Sequence, residues 1–290
     1  MQKLILFLAL FTFSFIIAQS NSEVYLFNIN FNTPGMEVTH MTNVSNDPDY
    51  DSQPSFQDSS TLLFAGSNKG QTDIAVYDIN TKTKTWFNLP TSGGEYSPQQ
   101  IPGTSYVSAV RLDTTGLQRW YQYQKGSNMS SEMIEAIQVA YYSFYDDQVA
   151  LAAVLSGPNL DLTWIDFQKK TADTIVRNSG RSIHRIPNKE AMSYTAVNEE
   201  GNHDIFQLDM KDKESYFVCQ LPVGVQDYCW IDETRLLLGS NNKLYLYDLF
   251  GSDKWEEAAD LSEFKIKNIS RLTVSPDGKK LAIVAEPESD

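Results

Sequence analysis

The chain repeats one short apolar phrase six times, and most copies close on an acid or an amide. The copies are Glu23–Asn28, Asp73–Asp78, Gly116–Tyr121, Asp161–Asp166, Asp204–Asp209 and Lys243–Asp248. Their closing residues are 50, 43, 45, 43 and 39 positions apart, close to the length of a propeller blade. Within a phrase both alternating faces are apolar: Ile74 and Val76 point one way, Ala75 and Tyr77 the other. A strand with one wetted face would alternate apolar with polar residues. Apolar residues on both faces suit a strand packed between two neighbouring blades. A second apolar strand precedes each phrase, as Leu62–Ala65, Tyr106–Val110, Val149–Leu155, Met192–Val197, Leu236–Leu238 and Leu281–Ala285. The closing Asp or Asn suits a turn, because its side chain accepts backbone N–H groups two residues on.

The expected fold is therefore all-β, a six-bladed β-propeller of four-stranded blades. The ends fix the count. The last segment supplies only Ile269–Ser275 and Lys279–Ala285, and the first only Glu23–Asn30 and Met36–Thr42. Together they make one blade, so the ring is closed by N- and C-terminal strands, and no open sheet edge remains. No helical periodicity competes with this reading; Ser130–Gln138 is the one stretch that could form a helical turn.

The first eighteen residues are a separate object. Lys3 gives a basic start, Leu4–Ala18 is an uncharged apolar run, and Ala18 and Ser20 are candidate cleavage positions. This pattern is that of a signal peptide over residues 1–18, followed by a single domain over 19–290. The run falls short of the roughly 20 residues a membrane span needs, so no membrane insertion is expected after cleavage. The expected location is periplasmic or secreted. The net charge of −14 disfavours nucleic acid and anionic lipid as partners. Cys219 and Cys229 are the only cysteines. Export permits a disulfide. Their expected places on an outer and an inner strand suit two packed thiols instead, since bridged Cα atoms must lie within about 7 Å.

Asn46–Phe56, which includes Asp47-Pro48-Asp49 and Pro54-Ser55-Phe56, runs into Leu62–Ala65 and then Asp73–Asp78. That arrangement resembles the repeat of TolB-type propellers, in which an acidic-Pro-Ser-Phe strand and a Pro-Asp-Gly turn precede an Asp-Ile strand. Ser275-Pro276-Asp277-Gly278, followed by Lys279–Ala282, is similar to the same repeat. The segment from Gly116 to Tyr121 departs most from it. The resemblance implies a binding propeller of the bacterial envelope. TolB proteins also carry an N-terminal α/β domain, for which no residues are left here.

No motif for catalysis, metal or cofactor emerges. Asp47, Asp49 and Asp51 are spaced like the start of a calcium loop, but Pro48 intervenes and position twelve is Asp58 rather than Glu. His40, His184 and His203 are expected on three different blades, which does not suit zinc. There is no G-x-S-x-G nucleophile elbow. The expected function is non-catalytic binding of a protein or peptide, by a monomer, through one face of the ring. The alternatives are a lyase, lactonase or glycosidase using channel carboxylates, and a structural scaffold. The loops that lead into the inner strands and those joining second to third strands gather on one face. That face is expected to carry Tyr50, Asp51, Glu95, Tyr96, Tyr141, His184 and Tyr228, with the acids selecting a cationic or donor partner.

Overall fold

The computed structural model describes residues 21–31, 35–47 and 49–288. The leader expected over residues 1–18 lies outside the described residues. Strands form six antiparallel four-stranded units, numbered here as blades along the chain from Ser52. Blade one is Ser52–Asp58, Thr61–Asn68, Gln71–Asp78 and Thr83–Trp86. Blade two is Gly93–Gln100, Val107–Asp113, Gln118–Tyr123 and Ser130–Glu132. Blade three is Val139–Phe144, Val149–Ser156, Asn159–Asp166 and the first half of Thr171–Arg185. The second half of that long strand opens blade four, which continues through Ala191–Val197, His203–Asp209 and Ser215–Gln220. Blade five is Cys229–Trp230, Arg235–Ser240, Lys243–Asp248 and Glu256–Asp260. Blade six joins the termini: Ile266–Val274 and Lys280–Pro287 pair onward with Glu23–Phe31 and then Met36–Asn43.

The ring is held by six apolar cores, one between each pair of blades, because successive residues of one strand point to opposite neighbours. Leu62 and Phe64 pack with Val24 and Val284 between blades six and one. Leu63 packs with Val107 and Tyr123 between blades one and two. Trp120 joins Tyr142 and Phe144 between two and three, and Trp164 joins Met192 and Tyr194 between three and four. Tyr247 and Leu236 meet Ile205 between four and five. Leu237 and Leu244 meet Phe27 and Leu272 between five and six. The last interface is tight enough to require glycine: a Cβ on Gly239 would stand 2.1 Å from Ile269 Cγ2.

Four of the six closing residues cap turns as the sequence indicates. Asp78 Oδ1 accepts the Asn80 and Thr81 amides at 2.9 and 2.8 Å. Asp166, Asp209 and Asp248 accept amides from Lys169, Lys211 and Phe250 at 2.8–2.9 Å. Asn28 instead accepts from the Lys280 ammonium. Blade two corrects the register. In the other blades the closing residue pairs with the first residue of the second strand, but there Val107 pairs with Tyr123, not Tyr121. With no acid to mark the end, Tyr121 and Tyr123 at a period of two were indistinguishable in sequence.

Two further expectations change, and one, the unbridged pair of cysteines, holds. Ser130–Glu132 is the outer strand of blade two, and the described residues hold one helical turn, the 3-10 turn Ser262–Phe264. Cys219 and Cys229 lie in two different inter-blade cores and are free thiols, both pushed up to about 12 by burial. His184 and His203 share blade four, on its first and third strands, rather than standing on separate blades.

Two outcomes are expected. Deleting Glu23–Thr42 should abolish cooperative thermal unfolding, because blade six would lose both its outer strands; a sharp transition in the truncated chain would contradict the shared blade. Trp164→Ala, at a side chain 8 % exposed, should cost about 3–5 kcal/mol in denaturant unfolding.

Candidate functional site

The six inner strands enclose a central cavity of about 620 Å³, with lining residues from every blade. Inner strands must crowd around the axis, and bulges accommodate this. Gln53, Ser97 and Asn268 each adopt a positive φ where their inner strand slips register, and the inner strand of blade four slips between Ser179 and Ile183. A bulge bends a strand and re-aims the neighbouring side chains. The bulges are tied across blades: Gln53 Oε1 accepts the Ser97 amide at 2.8 Å. Tyr142 OH donates to the Ser97 carbonyl at 2.7 Å, and Gln99 Nε2 donates to the Tyr142 carbonyl at 2.7 Å.

At one end of this channel Tyr141, Arg181, Asp227 and Arg271 line the wall, Tyr50 stands beside Arg271 and Tyr96 beside Tyr50, so each blade contributes one large polar side chain. The rings of Tyr50 and Tyr96 are 6.4 Å apart, and the Arg271 guanidinium lies 5.3 Å from the Tyr141 ring centre. Asp227 is shared by two cations. Its Oδ2 accepts from Arg181 Nε at 2.7 Å and from Arg181 Nη2, and its Oδ1 accepts from Arg271 Nη1 at 3.4 Å. Burial opposes the Arg271 charge more than any one neighbour supports it, but Asp227, Tyr141 and Tyr50 together outweigh it, so the guanidinium is held above its ordinary value. A second cavity of about 330 Å³, bounded by Val223–Asp227, Gly239–Asn241 and Asn268–Ser270, shares Arg181 and Asp227 as its wall.

The seven sequence-selected residues divide. Tyr50, Tyr96 and Tyr141 are half-buried around this mouth, and His184 lines the cavity. Asp51, Glu95 and Tyr228 are fully buried. Asp51 Oδ1 accepts the Ser67 amide at 3.0 Å, and desolvation pushes its carboxyl up to about 7. Glu95 accepts from Thr91 and from Tyr123 OH; burial, aided by neighbouring Asp73, pushes it up to about 8. Tyr228 donates to Ser193 Oγ at 2.7 Å, and its ring meets His184 edge-on at 4.7 Å. Burial pushes His184 down to about 4, so it is neutral at pH 7.

The acids expected to select a cationic partner thus face inward, where apolar blade faces desolvate them. The charges that line the channel are Arg181, Arg185, Arg271 and Asp227. The inner-strand arginines were missed because an isolated charge in an apolar strand carries no direction in sequence. Their signal is spacing: positions 50, 96, 141, 181, 227 and 271 recur at about one blade length. Asp227 is the one carboxylate among the described lining residues, which therefore offer no carboxylate pair of the glycosidase kind. Among the described residues no three His, Cys, Asp or Glu side chains converge as metal ligands.

The buried carboxyls set a pH dependence. Unfolded, Asp51 and Glu95 ionise near 3.8 and 4.5; folded, they hold their protons to about 7 and about 8. Folding therefore binds protons between these limits, and their contribution, full below about pH 4, declines as pH rises and is gone above about pH 8. His184, depressed by burial, acts in the opposite sense only below its ordinary 6.5. The melting temperature should therefore fall between pH 6.5 and 8.5. Asp51→Asn with Glu95→Gln should flatten that slope; an unchanged slope would place the titration elsewhere.

No protein-family model and no curated protein matches the sequence. Solved structures do match the fold. A protein from Agrobacterium tumefaciens assigned as TolB superposes with a TM-score of 0.66 at 13% identity, over 91% of this chain and 98% of that one. TolB from Acinetobacter baumannii gives 0.58 at 12% identity, over 94% of this chain and 65% of that one, so this chain spans just under two thirds of its length. An oligogalacturonate lyase in complex with manganese gives 0.55 at 11% identity, over 88% and 83%. The chain has the fold of the TolB-type β-propellers.

Proposed function

We propose that the protein is an exported, non-catalytic binding propeller that receives a protein or peptide partner in the bacterial envelope. The observation that carries this reading is the convergence of Tyr50, Tyr96, Tyr141, Arg181, Asp227 and Arg271, one from each blade, on one mouth of the channel. Tyrosine and arginine are the side chains that most often anchor protein partners. They offer large contact area, and tyrosine does so at small entropic cost. The rigid ring of blades presents them without reorganisation, which favours affinity. The TolB neighbours of the same fold support the envelope setting. The reading further takes residues 1–18 as a cleaved leader, residues 19–290 as one domain, and the mature protein as a monomer, periplasmic or secreted.

An enzymatic reading finds less support. A lyase-type reaction needs a base in the cavity. Asp227 is held by two arginines, and His184 is a weak base because burial disfavours its cation.

The test is capture from a bacterial envelope fraction by the wild-type protein and by the triple variant Tyr50→Ala, Tyr96→Ala, Tyr141→Ala. All three rings are half-exposed, so the variant should melt within a few degrees of wild type. Losing even one anchor of about 2 kcal/mol weakens binding by more than roughly tenfold, so the triple variant should lose the captured partner. A partner retained at wild-type yield by the folded triple variant would move the site away from this mouth.

A further inference from the structure

We infer that the cavity below the mouth recognises a carboxylate of the bound peptide, and that Arg271 receives it. This deepens the binding reading above and rests on it. The side chains of Arg271, Arg181 and Asp227 are 16%, 27% and 10% exposed, so two cations and one anion are held in a confined space. The cluster therefore carries one uncompensated positive charge, which a low-dielectric setting disfavours strongly.

Asp227 serves its two partners unequally. Oδ2 takes the close Arg181 fork, while Oδ1 reaches Arg271 only at 3.4 Å. A guanidinium carries five N–H donors in a planar fork that matches a carboxylate. Arg271 lines the cavity, so a second carboxylate placed there would take a bidentate pair and balance the cluster, two charges against two. Tyr141 stands against the guanidinium, its ring centre 5.3 Å away. The surrounding protein is acidic, at −14, so this cationic spot is a local inversion of the overall field and discriminates between anions by position.

The geometry favours one carboxylate over a polyanionic chain. A repeating uronate would need a track of cations, whereas Arg181 and Arg271 converge on a single point. Arg185 lies toward the opposite end of its strand, over the Tyr145 ring at 5.0 Å.

Calorimetric titration of the full chain tests this with four probes: a capped triglutamate peptide, its capped triglutamine counterpart, triglycine with a free C terminus, and trigalacturonate. Binding of triglutamate points to a side-chain carboxylate, and binding of triglycine to a chain terminus; either supports the site. Triglutamine should bind at least roughly tenfold more weakly, and Arg271→Gln should weaken the carboxylate peptide by a similar factor. Arg271→Lys should recover little, because it keeps charge but not the fork. Lys243→Gln, at a surface cation paired with Glu257 outside the cavity, should leave binding unchanged. If Arg271→Gln fails to fold, the Arg271 Nε–H resonance of the wild-type protein reports directly, and should shift on adding the peptide that binds. Equal binding of triglutamate and triglutamine, no binding by either carboxylate peptide, or a silent Arg271 resonance would overturn the inference. Binding of trigalacturonate alone would overturn the peptide assignment. A partner lost from the triple tyrosine variant but kept by Arg271→Gln would leave the binding reading standing and sink this one.

Discussion

Everything in this molecule depends on strands that are apolar on both faces. A strand with a single apolar face can build a sandwich, but it cannot sit between two neighbours in a ring. In blade one, Leu62 and Phe64 serve one interface while Leu63 serves the next, and all three are fully buried. Each such side chain contributes about 1.5–3 kcal/mol relative to exposure. The ring thus has no central core; it has six, and each blade is held only through its two neighbours. Blade six completes the circuit with strands from both ends of the chain, so the molecule closes by joining its termini in one sheet.

The functional geometry follows from that closure. Inner strands brought around an axis leave a channel, and bulges at Gln53, Ser97, Ser179–Ile183 and Asn268 let them crowd together while aiming side chains at its mouth. Arg271 stands on the inner strand of the blade that the N-terminal strands complete. The charged centre of the mouth therefore exists only when the ring is shut. Its partner Asp227 enters from the loop before blade five, and Arg181 from the bulged start of blade four. Three separate parts of the chain meet at one carboxylate.

How much of this the sequence could reveal depended on the kind of residue. The blades were legible because alternation and spacing are written in apolar positions, and the closing aspartates at 78, 166, 209 and 248 mark turns by a local hydrogen bond. Blade two lacked that mark, and its register slipped by two at Tyr121. Polar residues were harder to place. Asp51 and Glu95 stand beside Tyr50 and Tyr96 in sequence, yet each acid turns into an inter-blade space while its neighbouring tyrosine stays at the mouth. Period-two alternation says that adjacent side chains diverge, but with no wetted face on these strands it does not say which one reaches the partner. Arg181 and Arg271 became visible only when inner strands distant in sequence were seen around one axis.

In this reading a partner engages the mouth at one end of the six inner strands. Hydrogen exchange of the protein with and without its captured partner tests it most directly. A partner seated there adds protection at the segments around Tyr50, Tyr96, Tyr141, Arg181, Asp227 and Arg271, with none at the aspartate-capped turns at 78–81, 166–169 and 209–212 on the opposite end. Protection confined to those turns, or running along the outer strands, would contradict it.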